Sequence, residues 1–349
     1  MVLEDLIEGW DGAETVIRFD RPTGTWMFVC VHSTVRGPAG GGTRMATYRA
    51  PADGLADAMR LSAAMTRKMA VLQMPFGGGK AVLAVRELPA GEERRGLLLR
   101  YGDMVASLGG IFRTAADMNT SAADMDVIAE RCRYVYGRSR DQGGAGDSGW
   151  GTARGVFHGI RASLGHVFGS EDVAGRRVLV HGVGNVGAEL ARALAGAGAQ
   201  VLVTDLVADR AAEVAAATGA ALIPAAGALE TSCDVYAPCA VGGTLSSRSI
   251  PALRCRIVAG SANNQLAAPA DAARLRSAGI LYAPDYVINA GGVLQDLGLE
   301  ELGWDRPALE KNLEAIGTTL RGIYARADAE GISTEEAAER LAASRLAAA

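Results

Sequence analysis

The sequence predicts an α/β protein of two domains, a first third of mixed strands and helices and a second half built on a doubly wound parallel sheet. Three observations lead there. The 349 residues exceed what one small core accommodates, and 49% of them are apolar. From about Gly151 onward, six short apolar runs alternate with Ala-rich helical segments, the pattern of parallel strands joined by helical crossovers. Between the halves, "GRSRDQGGAGDSGW" (137–150) is a Gly-rich place for a hinge. The expected boundaries are 1–136 and 137–329, with a closing helix over about 330–349 packing back on the first domain.

In chain order, "ETVIRFD" and "TWMFVCVHS" are β-type runs parted by the turn-like "RPTG". A helical pattern follows from about Asp53 to Leu72, starting just after Pro51. "KAVLAV" reads as a strand, "ERRGLLLRYGDMVASL" as a helix and "GIFRTA" as a strand. After the helix "GTARGVFHGIRASLGHVF" come the six runs "RVLVHG", "AQVLVTD", "GAALI", "CDVYAP", "RIVAG" and "ILYAPDY". "STEEAAERLAASRL" opens with a Ser-x-x-Glu capping box and closes the chain as a helix.

Bulk properties exclude several classes. A formal charge of −4, with 21% charged residues and no Lys/Arg block, leaves no footprint for nucleic acid. The acidic start "MVLEDLIEGWDGAE" is not a signal peptide, and no apolar run reaches the roughly 18 residues of a membrane span. A cytoplasmic protein is expected. The five scattered cysteines, without a CxxC, read as reduced thiols, and the four dispersed histidines form no HExxH, so no metal is expected.

The second half carries a dinucleotide-binding fingerprint. The strand "RVLVH" feeds Gly182-x-Gly184-x-x-Gly187, which opens a helix; the next strand ends in Asp205, 18 residues past Gly187. Gly182 permits the tight turn, Gly184 lets the backbone approach a pyrophosphate, and Gly187 allows close helix–strand packing. The helix N-terminus favours the anion. Asp205 would accept from the ribose hydroxyls and repel a 2′-phosphate, which favours NAD over NADP; Arg210 argues the other way.

The first half holds "MTRKMAVLQMPFGGGKAVL", with Lys68 and Lys80 twelve residues apart. The glycines before Lys80 do not make a P-loop, because Met74 stands at the first glycine and Ala81 at the Ser/Thr. Leu61, Met65, Lys68 and Leu72 share one helix face, so Lys68 either snorkels from an apolar stripe or lines a pocket and pairs with a substrate carboxylate. Lys80 is either an exposed lysine at a strand start or a base whose pKa is lowered by desolvation and a neighbouring cation, with the glycines admitting substrate close to the backbone. In "RTAADMNTSAADMD", Ser121-x-x-Asp124 reads as a helix cap and Asp126 as a solvated-face residue. Asp117, after the strand, is either catalytic or loop-solvating.

The ordered segments "GPAGGGTRM", "MTRKMAVLQMPFGGGKAV", "TAADMNTSAADMD", "GGAGDSGWGTARGVF", "GVGNVG", "VAGSANNQL" and "APDYVINAGGV" resemble the glutamate/leucine/phenylalanine/valine dehydrogenase superfamily along nearly the whole chain. The bacterial branched-chain and aromatic members are the most similar. The resemblance implies NAD-dependent, reversible oxidative deamination of an L-amino acid to its 2-oxo acid and ammonia. It also implies an N-terminal substrate domain, a Rossmann NAD-binding domain, an active-site cleft between them that closes and opens, and a homo-oligomer. By the same resemblance, Lys68 binds the α-carboxylate, with Gly40, Gly41, Met65, Asn263 and Val293 around the amino acid. Lys80 activates water and polarises the carbonyl, and Asp117 exchanges a proton with the amino group. The cofactor set is Gly182, Gly184, Asn185, Val186, Gly187 and Asp205 with Thr152, Ser148, Ala240, Asn263 and Asn289.

Gly40 stands where branched-chain members carry a Leu, which implies a larger side-chain pocket. Asn119 resembles a phenylalanine dehydrogenase, whereas Val293 and "GGAGDS" resemble branched-chain enzymes. Ala116 departs from the Pro of the aromatic relative. No charged residue stands at Gly40 or Val293 to meet a glutamate side chain. The expected substrate is L-phenylalanine or another large apolar amino acid, ahead of L-valine or L-leucine. An NAD-binding regulatory protein is the reading from a different class, and intact Lys68, Lys80 and Asp117 argue against it.

Overall fold

A computed structural model describes residues 3–349. The chain forms two compact units. The first comprises residues up to Asp147 together with Asp296–Gly303 and Ala342–Ala349; the second comprises Ser148–Gln295 and Trp304–Leu341.

In the first unit, α1 (Leu3–Glu8) precedes β1 (Glu14–Asp20), β2 (Thr25–Ser33) and β3 (Ala39–Thr47). Then come α2 (Pro51–Val71), β4 (Gly77–Val85), α3 (Gly91–Ser107), β5 (Phe112–Ala116) and α4 (Ala122–Ala129). The sheet order is β1-β2-β4-β3-β5. β1/β2 and β2/β4 are antiparallel, while β3 runs parallel to both β4 and β5, so the sheet is mixed. Apolar alternation does not reveal β3, whose three glycines lower its strand propensity; ladders on both sides hold it extended.

α2 starts at Pro51, whose missing N–H is no loss in a first turn, and ends at Val71, two residues before Gln73, which takes φ 56°. It packs on one face of the sheet through Leu55, Ala58 and Met59 against Phe28, Cys30, Val82 and Ala84. α3 and α4 cover the other face over a core that includes Tyr101, Met104, Phe112 and Met125. Asp124 completes a reciprocal capping box with Ser121 and also accepts both arms of Arg94. Asp126 is not on a solvated face: it accepts from the Ser139 backbone N–H and hydroxyl, tying down the loop after α4.

The second unit opens with α5 (Gly149–Phe168) and alternates β6 (Arg177–His181), α6 (Asn185–Gly196), β7 (Gln200–Thr204), α7 (Ala208–Thr218) and β8 (Ala221–Leu222). β9 (Val235–Pro238), β10 (Ile257–Val258), α8 (Ala270–Ser277), β11 (Leu281–Tyr282), α9 (Asp285–Ile288), α10 (Gly291–Glu300), α11 (Arg306–Glu330) and α12 (Thr334–Ala347) complete the chain. The last turn of α10 and the end of α12 belong to the first unit. All six strands of the second sheet are parallel, in the order β11-β10-β9-β6-β7-β8. Counted from β6, this is the doubly wound 3-2-1-4-5-6 arrangement, whose order reverses between β6 and β9. Ser333 accepts from the Glu336 N–H at the start of α12, while the Glu336 carboxylate goes to Arg340. At the other end of α12, Arg345 donates to the Val71 carbonyl, one of the free carbonyls at the end of α2. Among the described residues, no helix is long and apolar enough to cross a membrane.

Candidate active site

Register places the chemistry of the first unit on one face. Gly40 pairs with Gly78 and with Arg113, and Thr43 pairs with Ala81 and with Ala116. Side chains alternate along strands, so Gly40, Gly42 and Arg44 face the same way as Gly78 and Lys80, and as Arg113 and Ala115. This is the face on which α2 lies, since Val82 and Ala84 share it. Asp117 follows β5 and continues the row.

There Lys80 Nζ stands 3.1 Å from Asp117 Oδ1, and Arg44 Nε donates to Asp117 Oδ2 at 3.0 Å. Lys80 is 5% exposed. A carboxylate thus stands against its ammonium. Burial alone would raise the Asp117 pKa, but the charges of Lys80 and Arg44 and the Arg44 hydrogen bond hold it at about 2. Arg44 is a participant that sequence reasoning missed. It bridges Asp117 to Asp57, which also accepts from Tyr48 and Arg60. Its signal was parity: once Ala39–Thr47 is a strand, Arg44 falls on the Lys80 side.

The three glycines before Lys80 do not hold space open for substrate. A Cβ at Gly77 would lie 1.8 Å from the Ser33 carbonyl oxygen, at Gly78 2.1 Å from the Thr66 backbone N, and at Gly79 2.7 Å from the Phe112 ring. At each of the three positions protein takes the place of a side chain, contributed in turn by β2, α2 and β5. Gly41 is likewise a contact of strands, its Cβ position being 1.8 Å from the Gly79 carbonyl oxygen. The Cβ position of Gly40 is 3.1 Å from Met69 Cε and 3.5 Å from the Tyr136 hydroxyl, so Met69 and Tyr136 border the space beside it. Lys68 and Met65 are half-buried on α2, Lys68 next to Met69.

Asn119 has a backbone reason to be there. It adopts φ 60°, which Gly and Asn tolerate best, and its amide donates to the Met45 carbonyl at 3.0 Å. The choice between Asn and Gly at this position concerns chain conformation, which removes one of the two observations that favoured an aromatic substrate.

In the second unit the glycine motif fits a dinucleotide. Gly182 takes φ 97° and touches Ala240, which follows β9, so β6 and β9 meet at the point where the strand order reverses. A Cβ at Gly184 would meet nothing within 4 Å, leaving the approach to the α6 N-terminus open. A Cβ at Gly187 would lie 1.9 Å from the Gly182 carbonyl oxygen, so only glycine lets α6 pack this close. Asn185 and Val186 begin α6, at the helix end whose dipole favours an anion. Asp205 accepts from the Val183 and Val207 N–H groups at 2.8 and 2.9 Å, one on each oxygen, which leaves each oxygen a lone pair for a ribose hydroxyl. Burial opposes its ionisation, but those two backbone donors and Arg210, 3.7 Å away, lower its pKa.

Asn289 donates to Asn263 Oδ1 at 2.7 Å and lies beside the Ser261 carbonyl. The Thr152 hydroxyl donates to the Ser148 carbonyl, and both residues line the backbone at Gly292, next to the half-buried Val293. Among the described residues no group of histidines, cysteines and acids is arranged to hold a metal.

A chain that carries one dinucleotide-binding unit and one unit with a buried lysine–carboxylate pair on a mixed sheet belongs to a recognisable class: an amino acid dehydrogenase. Residues 17–134 match the Glu/Leu/Phe/Val dehydrogenase dimerisation domain, and residues 202–349 match the Glutamate/Leucine/Phenylalanine/Valine dehydrogenase domain. The chain is 42% identical to a valine dehydrogenase of Streptomyces virginiae over 95% of this chain and 93% of that one. It is 36% identical to a leucine dehydrogenase of Geobacillus stearothermophilus, covering 99% and 94%. The solved L-tryptophan dehydrogenase of Nostoc punctiforme superimposes with a TM-score of 0.84 at 35% identity, covering 99% and 98%. The chain belongs to the glutamate/leucine/phenylalanine/valine dehydrogenase family and is an oxidoreductase acting on amino acids.

Proposed function

We propose that the protein catalyses the NAD-dependent, reversible oxidative deamination of an aliphatic L-amino acid of the valine or leucine kind, giving the 2-oxo acid and ammonia. The buried Lys80–Asp117 pair carries the reading. The valine and leucine dehydrogenase names of its relatives favour the aliphatic side chain over phenylalanine.

NAD, when bound, accepts the α-hydride of the substrate. Lys68 holds the α-carboxylate and so fixes the α-carbon in one orientation. Asp117, kept ionised by Lys80 and Arg44, accepts a hydrogen bond from the substrate amino group and takes its proton. Lys80 directs water at the iminium carbon and donates to the carbonyl oxygen in the reverse direction. Gly182, Gly184, Asn185, Val186 and Gly187 hold the pyrophosphate, and Asp205 takes the adenosine ribose. Ser148, Thr152, Ala240, Asn263 and Asn289 serve the nicotinamide end. The enzyme works as a homo-oligomer; residues 17–134 match a dimerisation domain, and a related glutamate dehydrogenase of Thermus thermophilus is a hetero-hexamer.

NADH formation at alkaline pH over L-valine, L-leucine and L-phenylalanine tests the reading. Valine or leucine should exceed phenylalanine in kcat/KM. Phenylalanine ahead of both would restore the aromatic substrate, and no turnover of any L-amino acid despite NAD binding would leave a regulatory NAD-binding protein. Lys80→Ala should lose most turnover while NAD affinity stays within about threefold.

A further inference from the structure

Asp296 is a buried carboxyl that the reaction above does not use. It is 9% exposed, and its Oδ1 has no hydrogen-bond partner among the described residues. Such a group costs free energy, and an apolar residue between Leu294 and Leu297 would pack better in α10. Burial, then the charges of Glu300 and Asp147, push its pKa well above the usual carboxyl range.

Its position is specific. Asp296 Oδ2 and Ala115 Cβ lie 3.4 and 3.9 Å from the same point, the Cβ position of Gly137. Ala115 shares the sheet face of Asp117 and is one pleat repeat away, about 7 Å along β5. The neighbouring Leu297 and the Tyr136 hydroxyl lie 3.9 and 3.5 Å from the Cβ position of Gly40. Asp296 and the Tyr136 hydroxyl therefore make a polar end to the strip that begins at Lys80 and Asp117. The nearby cations are engaged elsewhere: Arg113 donates to both oxygens of Glu301, and Arg138 stands 3.6 Å from Glu300. Glu300 Oε1 accepts from the Gly137 and Ala145 N–H groups, and its Oε2 makes no hydrogen bond. The local excess of negative charge suits a cation, and a neutral aliphatic side chain would leave Asp296 unpaired.

We infer that Asp296 binds the ammonium or guanidinium end of a substrate side chain, so that this enzyme also deaminates basic L-amino acids such as ornithine, lysine or arginine. A stem of three or four carbons spans a distance comparable to the pleat repeat. A cation beside Asp296 restores its ionised form and gives Oδ1 a charge-assisted hydrogen bond. The inference rests on the amino acid dehydrogenase reading above.

The test compares kcat/KM for L-valine, L-ornithine, L-lysine and L-arginine in the wild type, Asp296→Asn and Asp296→Leu, with NAD binding as the control for folding. The wild type should turn over at least one basic amino acid. Asp296→Asn should lower the basic-to-valine ratio of kcat/KM about 100-fold, mainly through KM, and Asp296→Leu should lower it further. Valine turnover without any basic turnover, or a ratio unchanged in both variants, would overturn the inference and leave the dehydrogenase reading intact. No turnover of valine or of any basic amino acid would sink both.

Discussion

Asp117→Asn removes one charge and nearly no volume, which isolates the electrostatic work of that carboxylate. Its pKa of about 2 in the folded protein, against an ordinary 3.8, corresponds to about 2 kcal/mol of stability at neutral pH. Because the folded value is the depressed one, this stabilisation is complete above pH 3.8 and is lost as the pH falls toward 2. The substitution also strands the buried Lys80 ammonium, whereas Arg44 keeps Asp57, so the cost rises to about 3 kcal/mol. Urea unfolding followed through Trp10 and Trp26, both in the first unit, should show a midpoint lower by about 1–2 M at pH 7. The gap to wild type should narrow between about pH 4 and pH 2. The double variant Lys80→Met/Asp117→Asn should be more stable than the sum of its single variants by at least about 1 kcal/mol. A single-variant cost below about 0.5 kcal/mol, or strict additivity, would refute the claim that Lys80 and Asp117 form a coupled buried pair. Turnover should fall by about 10²–10⁴-fold in the same variant if Asp117 carries the proton.

The two glycines of the fingerprint should separate in their effects. Gly184→Ala adds a methyl into open space, so it should leave stability within about 0.5 kcal/mol while weakening NAD binding at least tenfold by titration. Gly187→Ala drives a methyl into the Gly182 carbonyl and should destabilise the fold by about 3 kcal/mol in a thermal melt. Asn119→Gly should cost about 1 kcal/mol for the lost bond to the Met45 carbonyl and leave the valine-to-phenylalanine preference unchanged. A switch in that preference would return Asn119 to the specificity set.

What the sequence made legible were the features whose signal lies within a few neighbouring residues. β1 and β2 show themselves by β-branched and aromatic runs, and the second sheet shows itself by six repeats of one pattern. The dinucleotide turn is legible because each glycine has a local reason, two of which the Cβ positions of Gly182 and Gly187 make explicit. Lys80 and Asp117 were open between two readings until the pair they form was known. The failures have one cause. The triple glycine before Lys80 looks like room for a ligand, yet Ser33, Thr66 and Phe112, far away in sequence, take that room. At Gly40 the sequence shows a missing side chain but not that Met69 and Tyr136 border the space it leaves. A small residue shows that something comes close, and only the folded chain shows whether protein or substrate does. Asp296 is the converse case. An acid between Leu294 and Leu297 is visible as an anomaly in the sequence, but its lack of a partner is a property of the whole neighbourhood. A side chain left unpaired by every element around it is therefore stronger evidence for a ligand than any gap left by a glycine.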